Sequence, residues 1–230
     1  MYMKNTAVLR VDTQEAFTPE WGLPVAQGRE MVEWVNRVTR DAHERGMLII
    51  DSVDYHPEGH ISFASHWSLP AFSQNPQNPT DPSDLLWTDH SIWGTQDVEL
   101  IGGILDPEWC VKIYKGWMRH RDAYSAFDMG VTSLLWNAKD GYEVAPGAQT
   151  LIQVLRKNNI QILRIVWLVT EVCVRANTLD ALDNGFDVEL VESGIRGLSD
   201  AGHQSTLTYL ASLDGQSNRQ WRIQSVKILP

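Results

Sequence analysis

The chain has 230 residues, 43% hydrophobic and 21% charged, with a formal net charge of −10. That is enough for one domain with a substantial core, and an acidic balance without a basic stripe excludes a charge-driven nucleic-acid binder. Two cysteines far apart make no disulfide framework, no apolar run nears the ~18 residues of a membrane span, and the N-terminal run is too short for a signal peptide, so a cytoplasmic protein is expected.

In chain order, the apolar run AVLRVD (7–12) reads as a first strand. REMVEWVNRVTRDAHERG follows, with Met31, Val35 and Val38 at helical spacing and Gly46 as a stop. MLIIDSV (47–53) is a second strand and CVKIYK (110–115) a third. Between them, LPAFSQNPQNPTDPSD (69–84) is too polar for core and reads as part of an insertion loop at about 66–90. GAQTLIQVLRKNN (147–159) is helical, and ILRIVWLV (162–169) is a fourth strand running into the helical pattern VRANTLDALDNG. FDVELVE (186–192), the helix in LSDAGHQSTLTYLASL with Ser199 as N-cap, and WRIQSVKI (221–228) complete the pattern. Strands alternating with crossover helices, several of them almost wholly apolar, predict a three-layer α/β/α fold. Its central sheet would be mostly parallel with about six strands, in a single domain spanning residues 1–230.

Ligands of open parallel sheets bind beyond the carboxyl ends of the strands, so the residues that terminate each strand matter most. Asp12 ends the first strand, Asp54 and His56 follow the second, Lys115 ends the third and Cys173 follows the fourth. Singly, each has an ordinary structural explanation: a turn cap, a solvated lysine, a buried thiol. Packing alone does not explain four loops bringing an acid, a metal-type pair, an ammonium and a thiol to one rim. Asp54 and His56, two apart in an extended segment, point to the same side and suit Zn²⁺, Mn²⁺ or Fe²⁺. His60, His66 and His90 are further candidate ligands, since five of the seven histidines fall between 56 and 120.

These segments together resemble the nicotinamidases of the isochorismatase-like cysteine hydrolase superfamily, with ordered motifs across residues 6 to 197. AVLRVDTQEAF resembles the segment with the catalytic aspartate, and DYHPEGHISFAS resembles the metal loop. LWTDHSIWGT resembles the third-ligand segment, IYKGWMRHRDAYSAF the lysine segment, and WLVTEVCVRANTLDALDNGFDVELVES the nucleophile segment. The resemblance implies Asp12, Lys115 and Cys173 as the catalytic set. It implies Asp54, His56 and His90 as ligands of one divalent metal, zinc above manganese or iron, with His60 a further candidate. Phe17, Trp87 and Tyr124 would wall the substrate pocket. The N–H groups of Val169 and Cys173 would form the oxyanion hole, beside a cis peptide between Leu168 and Val169. The chain departs from the family pattern at Thr88, where proline is usual, at Ser91, where cysteine is usual, and at Trp167, where glycine is common.

The implied activity is hydrolysis of nicotinamide to nicotinate and ammonia through a Cys173 thioester, a step of NAD salvage. A cysteine at a helix N-terminus near an ammonium suits that role, and Thr170 is a candidate cap for that helix. A small-molecule amide is the expected partner, with no membrane or nucleic acid, and a homo-oligomer is compatible with this reading. The alternatives are a relative acting on an N-carbamoyl amide or an isochorismate-like ether, and a non-catalytic binding module of the same fold. A nucleotide-binding protein is disfavoured, because no G-x-G-x-x-G follows the first strand.

Overall fold

A computed structural model describes residues 5–81, 84–137, 141–217 and 225–230. Its elements in chain order are β1 (Thr6–Val11), α1 (Val32–Glu44), β2 (Leu48–Asp54), α2 (Ala64–Trp67) and β3 (Val111–Lys115). A small pair follows, β4 (Leu134–Asn137) and β5 (Gly141–Val144), then α3 (Leu151–Lys157) and β6 (Ile162–Leu168). The chain continues through α4 (Arg175–Asp183), β7 (Asp187–Arg196), α5 (Asp200–Ala211) and β8 (Val226–Leu229). Six strands form one sheet in the order β3-β2-β1-β6-β7-β8, with every neighbouring pair parallel.

The apolar strands are buried on both faces, as a parallel sheet requires. On β1, Ala7, Leu9 and Val11 join a cluster with Leu151 and Val154 of α3, Leu182 of α4 and Leu210 of α5. Val8, on the opposite face, packs with Ala42 of α1 and with Met47 and Ile49. The result is a three-layer α/β/α arrangement with β1 at its centre. Arg10 and Asp51, register partners on β1 and β2, are charged exceptions in this apolar sheet. Both are fully buried and joined by two hydrogen bonds, Nε to Oδ1 at 2.5 Å and Nη2 to Oδ2 at 2.6 Å. Arg10 also donates to Thr39 Oγ1 and the Leu105 carbonyl, each at 2.9 Å. Such a pair is costly to break, because either partner alone is an uncompensated buried charge.

Local chemistry explains where the helices start. Thr150 and Gln153 form a reciprocal capping box at α3, and the Ser199 side chain accepts the Gly202 N–H at α5 as expected. The β4–β5 hairpin was not anticipated: its strands are short and largely exposed, so burial leaves little apolar periodicity. The expected last strand begins later than its sequence pattern, at Val226, and residues 221–224 of that expectation lie outside the described residues. In the insertion, the Gln74 side-chain amide donates to the carbonyls of Asn78, Asp81 and Asp84 at 2.6–3.0 Å. That ties the loop into a compact turn.

The strand order places the topological switch between β1 and β6, because the chain runs outward from β1 through β2 and β3 and then crosses to β6. Crevices at such points are where ligands bind in open α/β sheets.

Candidate active site

The carboxyl ends of β1, β2, β3 and β6 bring Asp12, Asp54, Lys115 and Cys173 together. Lys115, 1% exposed, lies 2.8 Å from Asp54 Oδ1, 3.2 Å from Asp12 Oδ2 and 4.0 Å from the Cys173 sulfur. Asp12 sits at a positive φ of 54° immediately after β1. Its Oδ1 accepts the Ser52 hydroxyl at 2.7 Å, whereas Oδ2 has no aligned hydrogen-bond donor although it is buried. A buried carboxylate oxygen held by an ammonium but by no aligned hydrogen bond, beside a thiol, can accept a proton.

The charges set one another. Burial alone would favour neutral Lys115, but Asp12 and Asp54 outweigh it and hold the ammonium well above its ordinary pKa. Burial likewise opposes ionised Asp54, yet His56 and Lys115 keep it well below the usual carboxylate range. For Cys173, burial pushes the thiol pKa well up, and Asp12 and Asp54 add to this against Lys115. The resting thiol therefore keeps its proton, and ionisation has to accompany attack.

Beside this group, Asp54, His56 and His90 converge, all buried, with one ligand atom from each within 4.8 Å of the others. His56 Nε2 is 3.0 Å and His90 Nε2 3.2 Å from the same oxygen, Asp54 Oδ2. Each ring donates its other nitrogen to a backbone carbonyl, His56 Nδ1 to Gly116 at 2.9 Å and His90 Nδ1 to Thr88 at 2.7 Å. With each Nδ1 so engaged, both Nε2 atoms are aimed at one carboxylate oxygen. Two imidazole nitrogens crowded on one carboxylate oxygen make a place for a cation, and although burial opposes it, Asp54 raises the pKa of His56. Two imidazoles and a carboxylate with carbonyl-fixed rings suit a divalent transition metal, and three ligands leave coordination positions open. Gly116 makes the approach feasible: at φ 68° it takes a left-handed conformation, and a Cβ there would lie 2.5 Å from the His56 ring.

His60 and His66 do not join these three. His60 donates Nε2 to the carbonyls of Met118 and Arg121 at 3.0 and 3.2 Å, and its Nδ1 accepts the Ser62 hydroxyl at 2.7 Å. Burial, then His56, pushes its pKa down to about 3, so the ring is a neutral brace for the loop. His66 is exposed and donates to the Gly59 carbonyl.

The cleft beside both groups is lined by Phe17, Trp87 and Tyr124 along with Lys115, Cys173 and the metal-type residues. Trp87 Nε1 donates to the Tyr124 hydroxyl at 3.0 Å, and Phe17 meets His90 edge-on at 5.8 Å. Phe17, Trp87 and Tyr124 thus lie together on the cleft, and Phe72 of the insertion packs edge-on against Trp87.

Two expectations at the nucleophile turn are corrected. No peptide bond among the described residues is cis, so the Leu168–Val169 bond is trans. The chain leaves β6 instead through positive φ at Trp167 (110°) and left-handed backbone at Val169. Thr170 does not cap a helix: the segment Thr170–Val174 is a π-helical turn without a side-chain cap, and Thr170 Oγ1 lies 2.9 Å from His203 Nδ1. Of the departures, Thr88 still supplies the carbonyl that fixes His90, and Ser91 supplies the carbonyl that accepts the His56 N–H at 2.9 Å. Trp167 is fully buried, packed with Phe17 and Val35 below the turn. Sequence reasoning missed Ser52, Gln14 and Asp122. The Gln14 side chain both donates to and accepts from the Asp54 backbone at 2.8 Å, and Asp122 adds a carboxylate to the cleft.

The fold and this rim define a three-layer α/β protein with its site at the switch of a parallel sheet. The chain belongs to the isochorismatase family, whose domain model matches residues 6–216. It is 31% identical to the nicotinamidase of Acinetobacter baylyi over 80% of this chain and 77% of that protein. It is 29% identical to that of Escherichia coli over 86% and 85%. Its fold is similar to the pyrazinamidase of Pyrococcus horikoshii, solved in complex with zinc, with TM-score 0.74, 28% identity and 98% of each chain covered.

Proposed function

We propose that the protein hydrolyses the carboxamide of nicotinamide to nicotinate and ammonia, with Cys173 as nucleophile, Asp12 as general acid and base, and Lys115 holding Asp12 in place. The observation that carries this reading is the buried Oδ2 of Asp12, ion-paired with Lys115 next to Cys173 and close to the three metal-type residues of the aromatic cleft. The nicotinamidases among its relatives support the same substrate.

Asp12 takes the thiol proton as sulfur bonds to the carboxamide carbon, and the carbonyl π electrons move onto oxygen. N–H groups of Val169 and Cys173 stabilise that oxyanion, each donor contributing on the order of 10²–10³ in rate. Asp12 returns the proton to the departing nitrogen, the C–N bond breaks and ammonia leaves a Cys173 thioester. Asp12 then takes a proton from water, whose oxygen adds to the thioester carbon. Collapse expels the Cys173 sulfur, which regains the proton, and frees the acid. Phe17, Trp87 and Tyr124 sandwich a flat aromatic ring and exclude water.

Asp54, His56 and His90 would hold one divalent metal, most simply zinc, a donor set that manganese or iron also accepts. When bound at these residues, the metal would supply Lewis-acid character for orienting the substrate. We assign the protein to the cytoplasm as a step of NAD salvage, with the nicotinamide amide as its small-molecule partner. A homo-oligomer is compatible with a cleft lined by one chain. Ammonia release from nicotinamide by metal-loaded protein tests this reading; no release above background overturns it.

A further inference from the structure

Two residues outside the chemistry grip the nucleophile turn from behind. Glu171 is half-buried and uses both carboxylate oxygens on the segment entering α5: Oε2 accepts the Leu198 N–H at 2.9 Å, and Oε1 the Ser199 N–H at 3.0 Å. Backbone N–H groups at the start of a helix lack intrahelical partners, and a carboxylate suits the positive end of the helix dipole. Glycines let the carboxylate in, since a Cβ on Gly197 or Gly202 would come within 2.6 or 2.5 Å of its oxygens. One residue earlier, Thr170 Oγ1 reaches His203 Nδ1 in the first turn of α5. Consecutive residues of the turn thus hold the same helix end, on the far side from the cleft.

The turn needs such a grip. It contains positive φ at Trp167 and Val169, neither of them glycine, which persists only where the surroundings over-determine it. Its winding is also special: the N–H groups of Val172 and Val174 both turn back on the Val169 carbonyl, at 3.1 and 3.4 Å. In ordinary α-helical winding, the group bonded to the Val169 carbonyl would be the N–H of Cys173, four residues on. π-Helical winding therefore takes the Val169 carbonyl away from that N–H, which can then face an oxyanion.

We propose that Glu171 and His203 are positioning residues that hold the turn in π-helical winding, keeping the Cys173 N–H available as an oxyanion donor. This rests on the hydrolysis reading above. Released from α5, the turn relaxes toward α-helical winding and the donor is lost to the Val169 carbonyl.

The test uses the full chain, metal-loaded, with two variants. Glu171→Gln keeps the shape but sets an amide donor against a backbone N–H, and His203→Phe keeps a ring without nitrogens. Each is measured for ammonia release from nicotinamide and for inhibition by nicotinate and by pyridine-3-carbaldehyde. The thiol adds to the aldehyde C=O: sulfur bonds to carbon as the π electrons move onto oxygen, Asp12 takes the thiol proton, and the former carbonyl oxygen takes the oxyanion position. The expected result is a fall in kcat of about tenfold to a hundredfold, short of the ~10²–10³ for full loss of a donor. KM and nicotinate inhibition stay within about threefold, while the aldehyde inhibition constant rises by the factor that kcat loses. A merely structural role lowers the fraction of active protein, so kcat falls while the aldehyde constant stays put; that result, or unchanged kcat, overturns the proposal. Should Glu171→Gln not fold, His203→Phe and Thr170→Val carry the same comparison. No turnover by the wild type overturns the hydrolysis reading and this proposal with it; turnover with unmoved aldehyde constants overturns the proposal alone.

Discussion

Replacing Asp12 by Asn should separate thiol reactivity from turnover, two properties that usually fall together. The amide is nearly the same size and still meets the Ser52 hydroxyl, but it cannot take a proton from Cys173 or return one to the leaving nitrogen. Loss of a positioned acid/base costs on the order of 10²–10⁴ in rate, and the residue serves both halves of the reaction, so we expect kcat to fall at least about 10³-fold. The thiol should move the other way. Lys115 Nζ lies 3.2 Å from Asp12 Oδ2 and 4.0 Å from the sulfur, so the two are no more than about 7 Å apart. At an effective dielectric near 20, removing an anion at that distance is worth about 2 kcal/mol, which lowers the pKa of Cys173. Iodoacetamide alkylation of Cys173, followed by peptide mass spectrometry between pH 6 and 10, should therefore shift to lower pH in Asp12→Asn while ammonia release collapses. Turnover within about tenfold of wild type would refute Asp12 as the proton carrier. An unmoved or alkaline-shifted alkylation profile would refute the electrostatic argument.

His56→Ala should lose bound metal and turnover together, because it removes one of three converging ligands; elemental analysis beside the ammonia assay checks this, and full activity without metal would contradict it. Asp51→Ala should destabilise the fold by ~3–5 kcal/mol in urea melts, since it strands the fully buried Arg10 guanidinium far from the cleft. Cys110 gives a pH prediction. Burial, then Asp51 and Asp106 against Arg10, pushes its thiol up to about 12, so unfolding releases its proton between the ordinary thiol range and that value. The stability it contributes is complete below the unfolded pKa and is lost as pH rises through the folded one. Urea melts of Cys110→Ala should show a flatter alkaline decline than wild type, and parallel declines would contradict the sign.

Strand ends carried most of what could be read in advance. In a doubly covered parallel sheet the strands are apolar runs, so polar residues at their ends stand out, and Asp12, Asp54, Lys115 and Cys173 did. What stayed hidden depends on partners distant in sequence. His60 has a ligand-like spacing from His56, yet carbonyls from Met118 and Arg121 claim its ring. Thr170 looks like a cap until α5 brings His203 to its hydroxyl. The exit from β6 reads as a simple strand-to-helix turn, while the sharp backbone at Trp167 and Val169 follows from tertiary packing. The hairpin β4–β5 did leave a signal, LLW and YEV around an Asp-Gly dipeptide, overlooked because its strands are short and half exposed.

The claim at the centre of this account is that the buried thiol of Cys173 forms the bond to the substrate. Ammonia release by metal-loaded Cys173→Ala, with fold and metal content verified, tests it most directly. The account predicts no release above background from nicotinamide, with wild-type metal occupancy. Release near the wild-type rate would contradict it.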